Sequence, residues 1–296
     1  MSGLLPLRPA FLARLDAARE IGWRLFRDAH APAAPGAPPE EFEVHRPYFP
    51  GDDVRWLDWS LFARREEFFV KVFRADEEVE VLLLLDASPS MTAGRGIKYR
   101  TAAAAGAALA RLALLAGHPV RVAWYSGRLH GVAGPWRSAD DFAAVQHRLA
   151  ESPPQGEGTD LAPAIDTLVT GRQRPLSIVI LTDGFQEPPL VSALLRALAR
   201  GARRVALVRV LDPADQSPPL RGHTILRDPE GAGRRELLAD RDLEEAVHRR
   251  IDQHFRLLGE ALAGLGAPLH ELPVRPPFEE AFLAMLRSTL SAPRTG

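Results

Sequence analysis

The sequence predicts an α/β protein built on a doubly wound, mostly parallel sheet, with a small β-rich segment on its N-terminal side. Three observations predict it. Val81-Leu-Leu-Leu-Leu85 and Leu176-Ser-Ile-Val-Ile-Leu181 are aliphatic with little alternation, the pattern of strands covered by helices on both faces. From Val79 onward, strand and helix patterns alternate in regular βα fashion. Both aliphatic runs end abruptly in an acid, Asp86 and Asp183. The carboxyl ends of parallel strands are where open α/β sheets bind ligands.

Taken in order, residues 1–39 hold an amphipathic helix over 9–29, with Phe11, Leu15, Ala18, Ile21 and Leu25 near helical spacing. Such a helix is expected to dock on a neighbouring domain or a partner. The Pro/Ala-rich run APAAPGAPP at 31–39 reads as a linker. Residues 40–78 form the β-rich segment. Alternation in Phe42-Glu-Val44-His and in Phe69-Val-Lys-Val72-Phe predicts two strands, with a turn at Pro50-Gly51-Asp52-Asp53 and a short helix from Trp59 to Arg64 between them. Arg46, Arg55, Arg64, Asp52, Asp53 and Asp58 lie among aromatics there, which favours structural packing over ligand binding.

Residues 79–275 carry the main α/β domain. Strands are expected at 79–85, 119–125, 128–133, 176–181, 203–211 and 268–273, and helices from Ile97 to Ala116, at 138–150, up to Val169, at 188–201 and at 241–264. Residues 212–222 read as a loop and Thr224 to Leu237 as a hairpin around Asp228-Pro-Glu-Gly231. A last helix at 278–290 falls in the C-terminal segment, 276–296.

Composition narrows the function. The 46% hydrophobic and 25% charged fractions are those of a globular chain with a sizeable core. Thirty-seven basic against 38 acidic side chains give a net charge of −1, no electrostatic footprint for nucleic acid or an anionic membrane. The absence of cysteine excludes disulfides, thiolate zinc sites and thiol nucleophiles. Arg8, Arg14 and Asp16 interrupt the apolar N-terminus, and Arg111 interrupts the apolar stretch 102–117. A cytoplasmic protein without a membrane span is the expectation.

Asp86-Ala-Ser88-Pro-Ser90 places three hard oxygen donors within five residues, which suits Mg²⁺ or Mn²⁺ better than a soft metal. The same residues suit an ordinary turn with an N-cap, so this stretch alone leaves both readings open. Right-handed crossovers bring the Gly158-Thr159-Asp160 loop and Asp183 to the same sheet edge. Asp86, Ser88, Ser90, Thr159 and Asp183 are therefore the candidate metal residues. Five groups do not fill six octahedral positions, and a partner's carboxylate is a suitable sixth.

These residues resemble a known pattern. Asp-x-Ser-x-Ser after a first strand, Thr in a Gly-Thr-Asp-Leu loop and Thr-Asp-Gly after a later strand are similar to the von Willebrand factor A domain. The five positions of that family's metal-ion-dependent adhesion site fall on Asp86, Ser88, Ser90, Thr159 and Asp183. Upstream, Arg46-Pro-Tyr48-Phe-Pro-Gly-Asp-Asp-Val-Arg55-Trp-Leu-Asp58-Trp59, then Ala63-Arg64 and Val70-Lys71, resembles the signature block of the bacterial "domain of unknown function 58" family. The resemblance spans residues 40 to 275. It implies a metal-dependent protein-binding module, holding Mg²⁺ or Mn²⁺, that acts as an adaptor with a MoxR-type AAA+ ATPase or its client. The chain departs from the family in two places. The Pro/Ala linker stands where a Gly-rich stretch is expected before Glu41-Phe42, and the membrane helices of many members are missing.

A Mg²⁺-dependent phosphohydrolase using Asp86 as nucleophile is the rival reading. Haloacid-dehalogenase-like enzymes need a second Asp two residues on, where Ser88 stands. The sequence has no G-x-x-x-x-G-K-[ST], no G-x-G-x-x-G after the first strand, no G-x-S-x-G and no H-E-x-x-H. Of the nine histidines, His248 and His254 read as surface or satisfied core residues. Lys98 and Tyr99 follow the metal loop, and solvation at a helix N-terminus is the favoured role for them. The sequence thus reads as a binding module and not as an enzyme.

Overall fold

The computed structural model describes residues 7–18, 41–47, 57–65, 67–74, 79–151, 156–170, 176–185, 189–218, 220, 222–230, 233–275 and 277–291. The chain divides into two compact units, residues 28–78 and residues 1–27 together with 79–296.

In the smaller unit, β1 (Glu41–Pro47) pairs antiparallel with β2 (Phe69–Arg74), and α1, the N-terminal helix Pro9–Ala17, belongs to the larger unit. Between the two strands lies α2 (Trp59–Arg65). Asp58 starts it by accepting the backbone N–H groups of Ser60 and Leu61 on Oδ1, both at 2.9 Å. Asp58 is thus a structural residue. Arg64 is exposed and donates to the Ser60 carbonyl. The expected turn at 50–53, Arg55 and the side chain of Arg46 lie outside the described residues.

The larger unit carries a six-stranded sheet. In chain order its strands are β3 (Glu80–Asp86), β4 (Val120–Tyr125), β5 (Leu129–Trp136), β6 (Leu176–Thr182), β7 (Ala202–Leu211) and, after the β8–β9 hairpin (Gly222–Arg227 and Arg234–Ala239), β10 (Leu269–Pro273). Their spatial order is β10-β7-β6-β3-β4-β5. All neighbours are parallel except β5, which folds back antiparallel on β4. The fold is a doubly wound, mostly parallel sheet, as the sequence predicts.

β3 is central, and the pleat splits its side chains between two cores. Val81, Leu83 and Leu85 join one core with α3 (Pro89–Thr92, through Met91), α4 (Ile97–Leu115), α5 (Phe142–Ala150), α1 and, at the C-terminus, α10 (Phe278–Ser291). Leu82 and Leu84 join the other with α6 (Ala162–Val169), α7 (Pro189–Ala199) and α9 (Arg241–Gly264). The chain runs from β3 outward to β4 and β5, then returns to the other side of β3 for β6. That reversal places a crevice at the carboxyl ends of β3 and β6.

Helix α4 is buried from Thr101 to Ala110. Alanine is the strongest helix former, and its small side chain lets the helix lie close to β3. α1, the described part of the predicted amphipathic helix, docks within its own unit. Phe11 meets Phe278 and Phe282 edge-on, both at 5.9 Å, Asp16 pairs with Arg111 at 2.8 Å, and Arg8 pairs with Glu279. The described helix ends at Ala17, and residues 19–29 of the expected helix lie outside the described residues. The stretch 212–222, expected as loop, contains the short helix α8 (Pro213–Gln216). Asp212 accepts the Ala214 N–H at 3.0 Å, an Asp-Pro start signal that reading the stretch as a loop passes over.

His270 on β10 is held neutral: burial, then the nearby charge of Arg204, lowers its pKa from the ordinary 6.5 to about 4. Between those values the unfolded chain takes up a proton that the folded state refuses, so stability falls as pH drops from 6.5 toward 4. His270→Gln is expected to flatten this acid limb by roughly 2 kcal/mol, read from urea unfolding at pH 7 and pH 5. An unchanged pH dependence would show that His270 is not the sensitive group.

Candidate functional site

The site begins where β3 runs out. Asp86 is the last residue of a strand buried along its whole length, and its carboxylate is fully buried. Strand register pairs Leu85 with Leu181, so Asp86 lies level with Thr182 of β6. Asp86 Oδ2 accepts the Thr182 hydroxyl at 2.7 Å, and Oδ1 accepts the Ser88 N–H at 2.9 Å. Burial, followed by the neighbouring charge of Asp183, raises the Asp86 pKa to about 6, while hydrogen bonds from Ser88 and Thr182 pull it down.

Ser88 bears on both readings of this loop. It occupies the N-cap of α3, yet its side chain makes no capping hydrogen bond. Its buried hydroxyl lies 3.0 Å from the Ser90 hydroxyl instead. That separation is a hydrogen bond, and it also matches neighbouring ligand oxygens around an octahedral ion with bonds of about 2.1 Å. An ordinary N-cap would spend the hydroxyl on the helix.

Thr159 arrives on a loop tied to the end of β4. Asp160 N–H donates to the Ser126 carbonyl at 2.9 Å, Gly127 N–H donates to the Glu157 carbonyl at 3.2 Å, and Asp160 Oδ1 accepts the Ala162 N–H at 2.9 Å. Gly158 takes φ +65°, where a side chain is strained. Gly156 lies over the Ser126–His130 pair, whose side chains are 2.7 Å apart, and a Cβ there would fall 1.9 Å from Ser126 Oγ. This Ser–His contact is covered by backbone, and it positions the loop.

Asp183 follows β6 and is buried. Its Oδ2 receives the Lys98 ammonium at 2.8 Å and its Oδ1 receives the Phe185 N–H at 3.3 Å. Lys98 also reaches Asp215 of α8 at 2.5 Å. Burial works to lower the Lys98 pKa, but Asp183 and Asp215 outweigh it and the pKa is raised. The favoured sequence reading of Lys98, solvation at a helix N-terminus, is therefore wrong: the side chain is buried in an ion pair. Helix α9 holds the turn after Asp183, with His254 Nε2 2.9 Å from the Gly184 carbonyl and its ring stacked on Phe185.

All five candidate residues thus sit at the carboxyl edge of β3 and β6 or on loops that meet there. Ser90 and Thr159 are joined by one carboxylate, that of Glu230 at the hairpin tip. Glu230 Oε1 accepts the Ser90 N–H at 3.0 Å and Oε2 accepts the Thr159 hydroxyl at 2.7 Å. Lys98, Asp215, Glu230 and His254 are the site residues that the sequence did not reveal. The acid after a hairpin proline was visible, but nothing local said where it reached. The donor set fits a hard cation: oxygen ligands only, and a dehydrated carboxylate that a positive ion would stabilise. Among the described residues no group of three or more His, Cys, Asp or Glu could hold a metal, so any cation here depends on the hydroxyls.

The family model described as "Protein of unknown function DUF58" matches residues 44–256. The chain belongs to that family. An uncharacterized protein of Mycobacterium tuberculosis is 33% identical to this DUF58 chain over 243 residues, covering 80% of this chain and 75% of the relative. A Mycobacterium bovis protein matches with the same figures. Among solved structures, BatB from Bacteroides thetaiotaomicron is similar with 17% identity and a TM-score of 0.40, over 72% of this chain and 100% of that one. A von Willebrand factor type A protein from Catenulispora acidiphila gives 16% and 0.40, over 74% and 43%. At these scores the structural likenesses carry no weight for the site.

Two outcomes follow from this geometry. In EDTA at pH 7, Asp86→Asn is expected to stabilise the fold by about 2 kcal/mol: removing the dehydrated charge gains about 3 kcal/mol, less about 1 kcal/mol for the hydrogen bond that the amide nitrogen cannot accept. The gain should shrink as pH falls through 6 toward 4, where wild-type Asp86 takes up its proton. Destabilisation at pH 7 would mean that the carboxylate is already well compensated. Gly156→Ala should displace the Thr159 loop without touching a candidate ligand, seen as faster amide exchange over 156–161; an unchanged pattern would rule out the packing role given to Gly156.

Proposed function

We propose that this DUF58 protein is a cation-dependent protein-interaction module and not a catalyst. One observation carries this reading: Ser88 stands at an N-cap but turns its hydroxyl to Ser90 beside the dehydrated Asp86. Asp86, Ser88, Ser90 and Thr159 would hold Mg²⁺ or Mn²⁺, with Asp183 alongside, fixed by Lys98. The cation would supply positive charge at a position open to a carboxylate. The chain's own residues orient the donors, exclude water from Asp86 and keep Asp183 in place.

The partner is a protein presenting an Asp or Glu. A MoxR-type AAA+ ATPase or its client in the cytoplasm is our choice, supported by the family resemblance of the signature block. No described helix is long and apolar enough to cross a membrane. The rival phosphohydrolase draws little support from the geometry. Asp86 has both oxygens engaged, by Ser88 N–H and the Thr182 hydroxyl, and is fully buried, which suits a ligand better than a nucleophile.

Thermal unfolding in Mg²⁺ against EDTA tests the cation. Wild type is expected to melt several degrees higher in excess Mg²⁺, since a ligand at a hundred times its Kd adds about 2.7 kcal/mol. Asp86→Ala and Ser88→Ala should lose that response. A full response in Asp86→Ala would sink the assignment, and phosphatase activity abolished by Asp86→Asn would replace it with the rival.

A further inference from the structure

Glu230 lies far from the site in sequence, 140 residues from Ser90 and 71 from Thr159. The strands of its hairpin are exposed along most of their length, yet Glu230 itself is half-buried. The turn that presents it is prearranged. Asp228 Oδ1 accepts the Glu230 N–H at 2.9 Å, and Asp228 N–H donates to the Gly233 carbonyl at 2.8 Å. From there one carboxylate reaches two separate loops at once, the Ser90 N–H and the Thr159 hydroxyl. Those loops carry Ser88, Ser90 and Thr159, three of the five candidate ligands.

Resting on the cation reading above, the geometry points to Glu230 as the chain's own ligand, in the position that a partner's acid would otherwise take. The hairpin is then an internal occupant of the site. An intramolecular ligand competes at an effective concentration of about millimolar. Isolated acidic side chains met in solution do not displace it. A partner must bring a carboxylate together with further contacts that offset the loss of Glu230, so occupancy by the hairpin makes the site selective for a surface over a lone acid.

The test uses the full chain with Mn²⁺ as probe, following water-proton relaxation in wild type, Glu230→Ala and Asp86→Asn, and amide exchange over the hairpin, 222–239. Glu230 is half-exposed on a turn, so its truncation leaves the core intact. Wild type should bind Mn²⁺ and Asp86→Asn should not. Glu230→Ala should bind with one more fast-exchanging water per ion, lose that water to added acetate, and exchange its hairpin amides faster; wild type should resist acetate. Binding by Glu230→Ala with wild-type relaxation, acetate resistance and hairpin exchange would overturn the role of Glu230 and leave the cation reading standing. Failure of wild type to bind Mn²⁺, or undiminished binding by Asp86→Asn, would overturn both.

Discussion

An acid at the end of a strand buried along its whole length is the constraint on which this structure turns. β3 is flanked by strands on either side and covered by helices on both faces, so its last residue leaves the sheet with little access to water. A carboxylate there is costly unless polar groups meet it. The neighbouring strand supplies the Thr182 hydroxyl, the following turn supplies the Ser88 N–H, and the register of β3 with β6 fixes where both fall. The charge of Asp183 adds to the same strain, and Lys98 partly offsets it. The rest of the edge is arranged around that first dehydrated group.

How much of this could be read from the chain follows from range. Aliphatic runs such as 81–85 and 176–181 announce doubly covered strands, because burial on both faces removes the need for alternation. Parallel strands joined by right-handed crossovers put their carboxyl ends on one side of the sheet, which is why Asp86, Thr159 and Asp183 group from the sequence. Contacts fixed by tertiary packing were illegible. Lys98 looks like any solvated lysine near a helix start until α8 brings Asp215 beside it. Glu230 looks like a turn residue until the hairpin folds over the edge. Neither has a local signature, since each depends on partners 71 to 140 residues away.

Small residues do as much for the site as charged ones. The alanines of α4 let that helix pack close to β3, and Lys98 lies in the first turn of α4, so the closeness of the packing governs the reach of the ammonium. Gly156 and Gly127 let the Thr159 loop press against the end of β4, where a methyl group would meet Ser126 Oγ or the Glu157 carbonyl. The geometry of the candidate site is inherited from backbone proximity, and polar side chains alone do not show its source.

The ion pair between Lys98 and Asp183 has a consequence for the surrounding medium. Its side chains are only 8% and 2% exposed. Mobile ions screen solvent-facing charges over about 8 Å at physiological strength but act weakly on groups withdrawn from water. This pair is therefore nearly indifferent to ionic strength, while the bond from Lys98 to the more exposed Asp215 is less so. The pair should persist in concentrated salt, where attraction between two exposed charges would fade.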